Sequence, residues 1–235
     1  ALLDGAVDLA VHSLKDLPTE MHEDLVLAAI PSREDVRDVL VTRDGGTLQQ
    51  LPESARVGTG SARRQAQLSI VRPDLRFVDL RGNVDTRLRK VHDGQVDAVV
   101  LAAAGLHRLG LQDRISQYLD PLTVLPSPGQ AALGLQMRAD AVDKHAFVNP
   151  LDDVATHASV TAERAFLASL GGGCRAPIAA WARTGEEGLR VDGVVLRLDG
   201  TEACRASRTG ALEDAHRLGA SLGGDVQASR APAHL

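Results

Sequence analysis

Between residues 54 and 110, short apolar runs bounded by turn residues alternate with stretches whose apolar positions recur at helical spacing. ARVGT (55–59) predicts a strand, GSARRQAQLSIVR (60–72) a helix, and RFVDL (76–80) a second strand. NVDTRLRKVHDG (83–94) predicts a helix with Val84, Leu88 and Val91 on one face, and DAVVLAAAGL (97–106) a buried strand. Such alternation predicts βαβ units and a parallel sheet. Upstream, ALLDG (1–5) reads as a helix tail entering the strand DLAVHS (8–13). Because the chain starts there, without methionine, an upstream part is expected to be missing. Past the proline-rich connection DPLTVLPSPGQAALGLQMR (120–138) the pattern changes. A helix over 153–170 precedes three strands, IAAWART, LRVDGVVLRL and EACRASRTG, and a helix near 211–222. The GEEG and DG hairpin signals between those strands make their sheet antiparallel, and hence a separate α/β unit.

In parallel sheets the ligand crevice lies beyond the carboxyl ends of the strands, where the next helices begin. Lys15 and Asp16 follow DLAVHS, and Thr59, Ser61, Arg63 and Arg64 follow RVG. Arg81 and Asn83 follow FVDL, and Arg108 follows VVLAAAGL. Residues distant in sequence thus converge on one edge, where helix N-termini add amide donors. The pattern predicts a crevice for a polyanion with one carboxylate, Asp16, inside it.

Charge sharpens this picture. The net charge is −5, yet residues 54–90 hold nine basic residues against three acidic ones, so that stretch carries +6 and the remainder −11. Of 26 basic residues 23 are arginine, the side chain suited to clamping carboxylate or phosphate. Nucleic acid is not the expected partner, because the chain is acidic overall and aromatic residues make up only 2% of it. A small ligand with several carboxylates or phosphates is expected instead. With 44% hydrophobic residues there is material for a core, and neither a secretory signal nor an apolar run of membrane-spanning length is present, so a cytoplasmic protein is expected. The two cysteines lack metal-ligand spacing, and no metal is expected. Cys204 lies within a strand and reads as a small buried hydrophobe. Cys174, in GGGCRAP, has two readings: packed beneath a helix-capping glycine turn, or held open to a cleft beside Arg175, which would favour its thiolate.

Taken together these segments resemble the porphobilinogen deaminase, or hydroxymethylbilane synthase, family. AVHSLKDLPT, REDVRDVL, VGTGSARRQAQL, RPDL, LRGNVDTRL, DAVVLAAAGLHRLG, PGQAALG, TAERAFL and GGGCRAPI succeed one another in unbroken order to about residue 222. The resemblance implies a dipyrromethane cofactor, built from two porphobilinogen molecules and joined by a thioether to Cys174. It implies that Lys15, Thr59, Ser61, Arg63, Arg64, Arg81, Arg87, Arg108 and Gln130 bind the acetate and propionate groups of cofactor and substrate. By the same resemblance Asp16, a buried carboxylate facing the pyrrole nitrogens, stabilises the positive charge that develops as porphobilinogen loses ammonia. Four condensations and a hydrolysis would then release linear hydroxymethylbilane. Two periplasmic-binding-protein-like α/β lobes are expected, with a third small α/β domain. The first lobe, incomplete, takes residues 1–31 and 132–150; the second, a parallel-sheet lobe, takes 37–125; the third, carrying Cys174, takes 154–235. The chain crosses between lobes near 32–37 and returns near 126–131, and a monomer is expected. Gly60 and Ala62 depart from the family loop, which commonly has serine and a larger apolar residue there. Two other classes compete: a non-catalytic two-lobed small-anion-binding module, and a cysteine-nucleophile hydrolase using His157.

Overall fold

A computed structural model describes residues 1–141, 146–171, 177–200 and 203–230. In chain order come β1 (Ala10–Ser13), a 3-10 turn (Leu14–Asp16), β2 (Leu25–Ala29), β3 (Asp38–Thr42), β4 (Arg56–Gly58), α1 (Ala62–Val71), β5 (Arg76–Val78) and α2 (Val84–His92). After these come β6 (Ala98–Ala102), α3 (Ala103–Arg108), β7 (Gln117–Tyr118), β8 (Leu133–Arg138), α4 (Val154–Ser169), β9 (Ile178–Gly185), β10 (Gly188–Leu196), β11 (Ala203–Gly210) and α5 (Ala215–Arg230). The α/β class expected from the alternation is what the chain adopts.

Three sheets organise these elements: β1-β8-β2, β5-β4-β6-β3-β7 and β11-β10-β9. The first and third are antiparallel, and Glu186 and Glu187 of GEEG join β9 to β10 in a tight hairpin. The five-stranded sheet corrects the expectation of a parallel lobe. β4 runs parallel to β5 and β6, but β3 runs antiparallel to both β6 and β7. Every residue of β3 is buried, and Val39, Leu40 and Val41 between Asp38 and Thr42 show no alternation from which to read a direction. The reversal matters for chemistry, because pairing Asp38 with Ala102 sets the first residue of β3 at the carboxyl end of β6.

Helices begin where the sequence supplies caps. Ser61 accepts from the Arg64 amide, Asn83 from Thr86 and Asp153 from Thr156. Three segments differ from expectation. ALLDG forms a turn, because Gly5, at φ +69°, closes it by donating its amide hydrogen bond to the Leu2 carbonyl. DAVVLAAAGL divides into β6 and the short α3, so Arg108 ends a helix instead of following a strand. The last helix also extends beyond its expected end, to Arg230.

The sheets are held by separate apolar cores. Leu40, Val57, Leu68 and Val100 pack on the α1 side of the central sheet, and Val39, Val99, Val91 and Leu106 on the side of α2 and α3. Phe166, Leu189 and Leu222 fill the space between the third sheet, α4 and α5. Ala66 of α1 meets Leu125, Ala179 and Val194 where the central and third sheets adjoin. The chain leaves the first sheet after Ala29, joins the central one at Asp38, and returns between Tyr118 and Leu133.

Candidate functional site

The N-terminus of α1 brings two neighbouring arginines into the protein instead of out to solvent. Arg63 is 4% exposed and Arg64 7% exposed, and both meet the fully buried Asp38. Arg64 donates from Nε and Nη2 to Asp38 Oδ1 at 3.1 and 2.7 Å, and from Nη1 to the Val100 carbonyl. Arg63 Nη1 donates to the Leu125 carbonyl and stands 2.8 Å from Asp38 Oδ2, an ion-pair contact without hydrogen-bond alignment. Burial by itself would raise the Asp38 pKa; the charges of Arg63 and Arg64 overcome it and hold the carboxyl far below the ordinary range. Gln130, 1% exposed, completes the cluster by donating from Nε2 to Asp38 Oδ1 at 3.0 Å and to the Val36 carbonyl.

Outside this buried cluster lies a cavity of about 290 Å³, lined by Gly60, Ser61, Arg64, Asp79, Leu80, Arg81 and Arg87. Four of the residues singled out from sequence therefore share one wall. Arg87 donates from Nε to the Gly82 carbonyl, and its pKa is lowered by burial and then by the neighbouring Arg64 charge. Arg81 is solvent-exposed beside Asp79, at 3.3 Å. A β-carbon at Gly60 would stand 3.0 Å from Asp79 Oδ1, so the glycine at this departure from the family loop leaves room for that carboxylate. Larger surface clefts, of about 620 and 470 Å³, contain none of the singled-out residues.

The remaining residues take other places. Lys15 is half-buried, and its pKa is lowered first by burial and then by Arg64. Asp16 is exposed, which corrects the expectation of a buried carboxylate. With about three residues per 3-10 turn, Leu14, 1% exposed, takes the inward position and Asp16 is rotated away from it. Thr59 is buried, its Oγ1 accepting from the Ser61 amide. Arg108 is exposed and donates to the Ala131 carbonyl. Cys174, with the reading of its surroundings, lies outside the described residues. Cys204 is only half-buried, but packs against the core of the third sheet.

Sequence reasoning missed four residues. Asp38 stands within REDVRDVL, where an acid before an apolar run reads as an ordinary strand start. Arg33 and Glu163 form a buried bidentate pair at 2.7 and 2.9 Å, and Glu163 also accepts the amides of Gly129 and Ala182. Arg164 donates to the carbonyls of Leu14, Leu17, Pro18 and Thr19, so α4 clasps the turn that carries Lys15 and Asp16. The signal for Glu163 and Arg164 was their charged pair inside a helix otherwise rich in small and apolar residues; Arg33 had none.

A mixed α/β protein with guanidiniums, a hydroxyl and a helix N-terminus converging on one cleft is of the class built to grip small polyanions. Comparison with known proteins narrows the class. Residues 1–146 match the family described as "Porphobilinogen deaminase, dipyromethane cofactor binding domain", and residues 157–228 match "Porphobilinogen deaminase, C-terminal domain". The porphobilinogen deaminase of Syntrophobacter fumaroxidans is 48% identical over 95% of this chain and 72% of its own length. That of Roseiflexus castenholzii is 50% identical over 94% of this chain and 73% of its own. An arginine-specific periplasmic binding protein of Salmonella typhimurium overlays 61% of this chain and 64% of its own at a TM-score of 0.38 and 17% identity, too distant to carry an argument. The chain belongs to the porphobilinogen deaminase, or hydroxymethylbilane synthase, family of transferases. That assignment sets aside the non-catalytic anion-binding module and the cysteine hydrolase.

Proposed function

We propose that the chain condenses four porphobilinogen molecules head to tail, with loss of ammonia, on a dipyrromethane cofactor joined by a thioether to Cys174, and then releases hydroxymethylbilane by hydrolysis. The observation that carries this reading is the shared cavity wall of Ser61, Arg64, Arg81 and Arg87 in a chain of this family. Its donor set fits the cofactor: three guanidiniums and a helix-capping hydroxyl suit a group whose pyrroles bear acetate and propionate side chains. When bound, dipyrromethane supplies the nucleophilic carbon at which the pyrrole chain is extended.

The chain's own residues hold, orient and neutralise. Arg64, Arg81 and Arg87 would grip carboxylates, with Ser61 donating alongside them and Arg63 and Lys15 adding positive field from behind. Thr59 shapes the turn ahead of α1, and Arg108 serves from the end of α3. Asp16, on an exposed turn held by Arg164, would accept pyrrole N–H bonds from the substrate. Its charge would then offset the positive charge that grows as ammonia departs.

The same reading assigns three domains, 1–31 with 132–150, 37–125, and 154–235. The membership of the three sheets and the separate family matches to residues 1–146 and 157–228 support this division. It takes the protein to be a cytoplasmic monomer with porphobilinogen, not nucleic acid, as its ligand. Among the described residues no helix is long and apolar enough to cross a membrane.

Intact mass after denaturation tests the proposal, on the chain and on Cys174→Ala. The expected result is an added mass of two linked pyrrole units on the parent and none on the variant. An unmodified parent that also fails to consume porphobilinogen would overturn the reading.

A further inference from the structure

The buried charges behind the cleft do not balance, and the way they are tied suggests what Asp38 is for. Two guanidiniums face one carboxylate, so the cluster keeps a net positive charge, yet the arginine nearest the ligand is fixed by that carboxylate. Of the five N–H groups of Arg64, three are committed: Nε and one on Nη2 to Asp38 Oδ1, and one on Nη1 to the Val100 carbonyl. What remains is one N–H on each terminal nitrogen, the pair with which a guanidinium grips a carboxylate side by side. Arg64 is also the member of the cluster that lines the cavity.

We infer that Asp38 is a positioning residue that aims Arg64 at the ligand's carboxylates, and that Gln130 acts through Asp38 without touching the ligand. Gln130 is suited to that role because its side-chain amide spans Asp38 Oδ1 and the Val36 carbonyl, fixing the carboxylate against the segment that leads into β3. Its own backbone carbonyl accepts from Arg33 Nε, so it is held at both ends. The inference rests on the anion-binding reading above.

Simple electrostatics and positioning predict opposite outcomes. If Asp38 merely competed with the ligand, replacing it by a neutral group would tighten anion binding; if it aims Arg64, the same change weakens binding. The experiment is calorimetric titration of the full chain with citrate, an inert tricarboxylate, in a Cys174→Ala parent, which has no thiol to hold the cofactor in the cleft, and in the same protein carrying Asp38→Asn or Gln130→Leu. Citrate Kd is expected to rise about tenfold in Asp38→Asn, the usual scale for losing a group that orients a ligating side chain. About threefold is expected in Gln130→Leu, which removes hydrogen bonds but no charge.

Arginine Nε–H resonances give a readout independent of the ligand. The Arg64 signal is expected to lose its protection in Asp38→Asn. The Arg33 signal, its Nε–H held by the Gln130 backbone carbonyl, is expected to persist and so certify the fold. If Asp38→Asn fails to fold, Gln130→Leu decides the matter by the same two readouts. Unchanged or tighter citrate binding in a folded variant overturns the inference. A Cys174→Ala parent that binds no citrate overturns it too, whereas the added mass on the unmutated chain tests the broader functional reading separately. A parent that binds normally beside an unaffected variant removes the role of Asp38 alone.

Discussion

Asp38 is sealed beneath two guanidiniums, and the acid stability of the protein follows from that single placement. Its pKa in the folded chain lies far below the ordinary value of about 3.9, so the folded state binds fewer protons than the unfolded one. The stabilisation is therefore complete above the ordinary carboxylate range and is lost as pH falls below it toward the folded value. Asp38→Asn should cost about 3–5 kcal/mol near neutrality, because it leaves two buried cations without their anion. Urea unfolding at pH 7, 5, 4 and 3 checks the sign: the gap between parent and variant should narrow steadily below about pH 4. A gap independent of pH would show that the carboxylate is not the group lost. At this scale the sequence made the cavity-lining arginines legible, since the strand-end rule pointed to Arg64 and Arg81 and the family resemblance to Arg87. It did not reveal Asp38, because burial of an acid depends on partners 25 and 26 residues away, supplied by another element. Nor did it reveal the exposure of Asp16, because nothing in SLKDLP separates a strand end from a 3-10 turn that gives Leu14 the inward position.

Elements show the same division between local and long-range information. Caps, hairpin turns and amphipathic helices are written locally, and α1, α2, α4 and the antiparallel third sheet lie close to where the pattern placed them. Strand direction is not local, so the reversed β3 was invisible in a run buried on both faces, as was the division of DAVVLAAAGL into strand and helix. The two capped helices flanking the cavity allow stability and binding to be separated. Ser61 and Asn83 each accept an amide of their own helix, so Ser61→Ala and Asn83→Ala should each cost about 1 kcal/mol in urea unfolding. Only Ser61 lines the cavity. KM for porphobilinogen should therefore rise in Ser61→Ala and stay unchanged in Asn83→Ala; equal KM values in the two would mean that the hydroxyl serves the helix alone.

For the whole molecule the decisive contact is the Glu163 carboxylate, which ties together three parts of the chain distant in sequence. From α4 it accepts Arg33, in the segment entering the central sheet, the Gly129 amide, in the segment returning from it, and the Ala182 amide of β9. Gly129 is required at its place, since φ is +72° and a β-carbon would stand 3.1 Å from the Leu14 backbone. Both connections are thus pinned to the C-terminal unit at one fully buried acid. Arg33→Ala leaves that acid with two backbone donors and no counter-ion, a change expected to cost about 3–5 kcal/mol. The loss should fall on the coupling between units, because the core of the third sheet contains neither residue. Trp181 is the only tryptophan, and from β9 it packs against the apolar junction between the central and third sheets, so its fluorescence follows the junction while circular dichroism follows every helix. In the parent the two urea transitions should coincide; in Arg33→Ala the Trp181 midpoint, lost with the junction, should fall below that of the dichroism. Adding Glu163→Gln to Arg33→Ala should restore part of the loss, since the pair's removal leaves no unpaired buried charge, and the double-mutant cycle reports that coupling directly. Coincident midpoints in Arg33→Ala would show that the apolar junction at Ala66, Leu125 and Val194 couples the units by itself, and that Glu163 is a local tie.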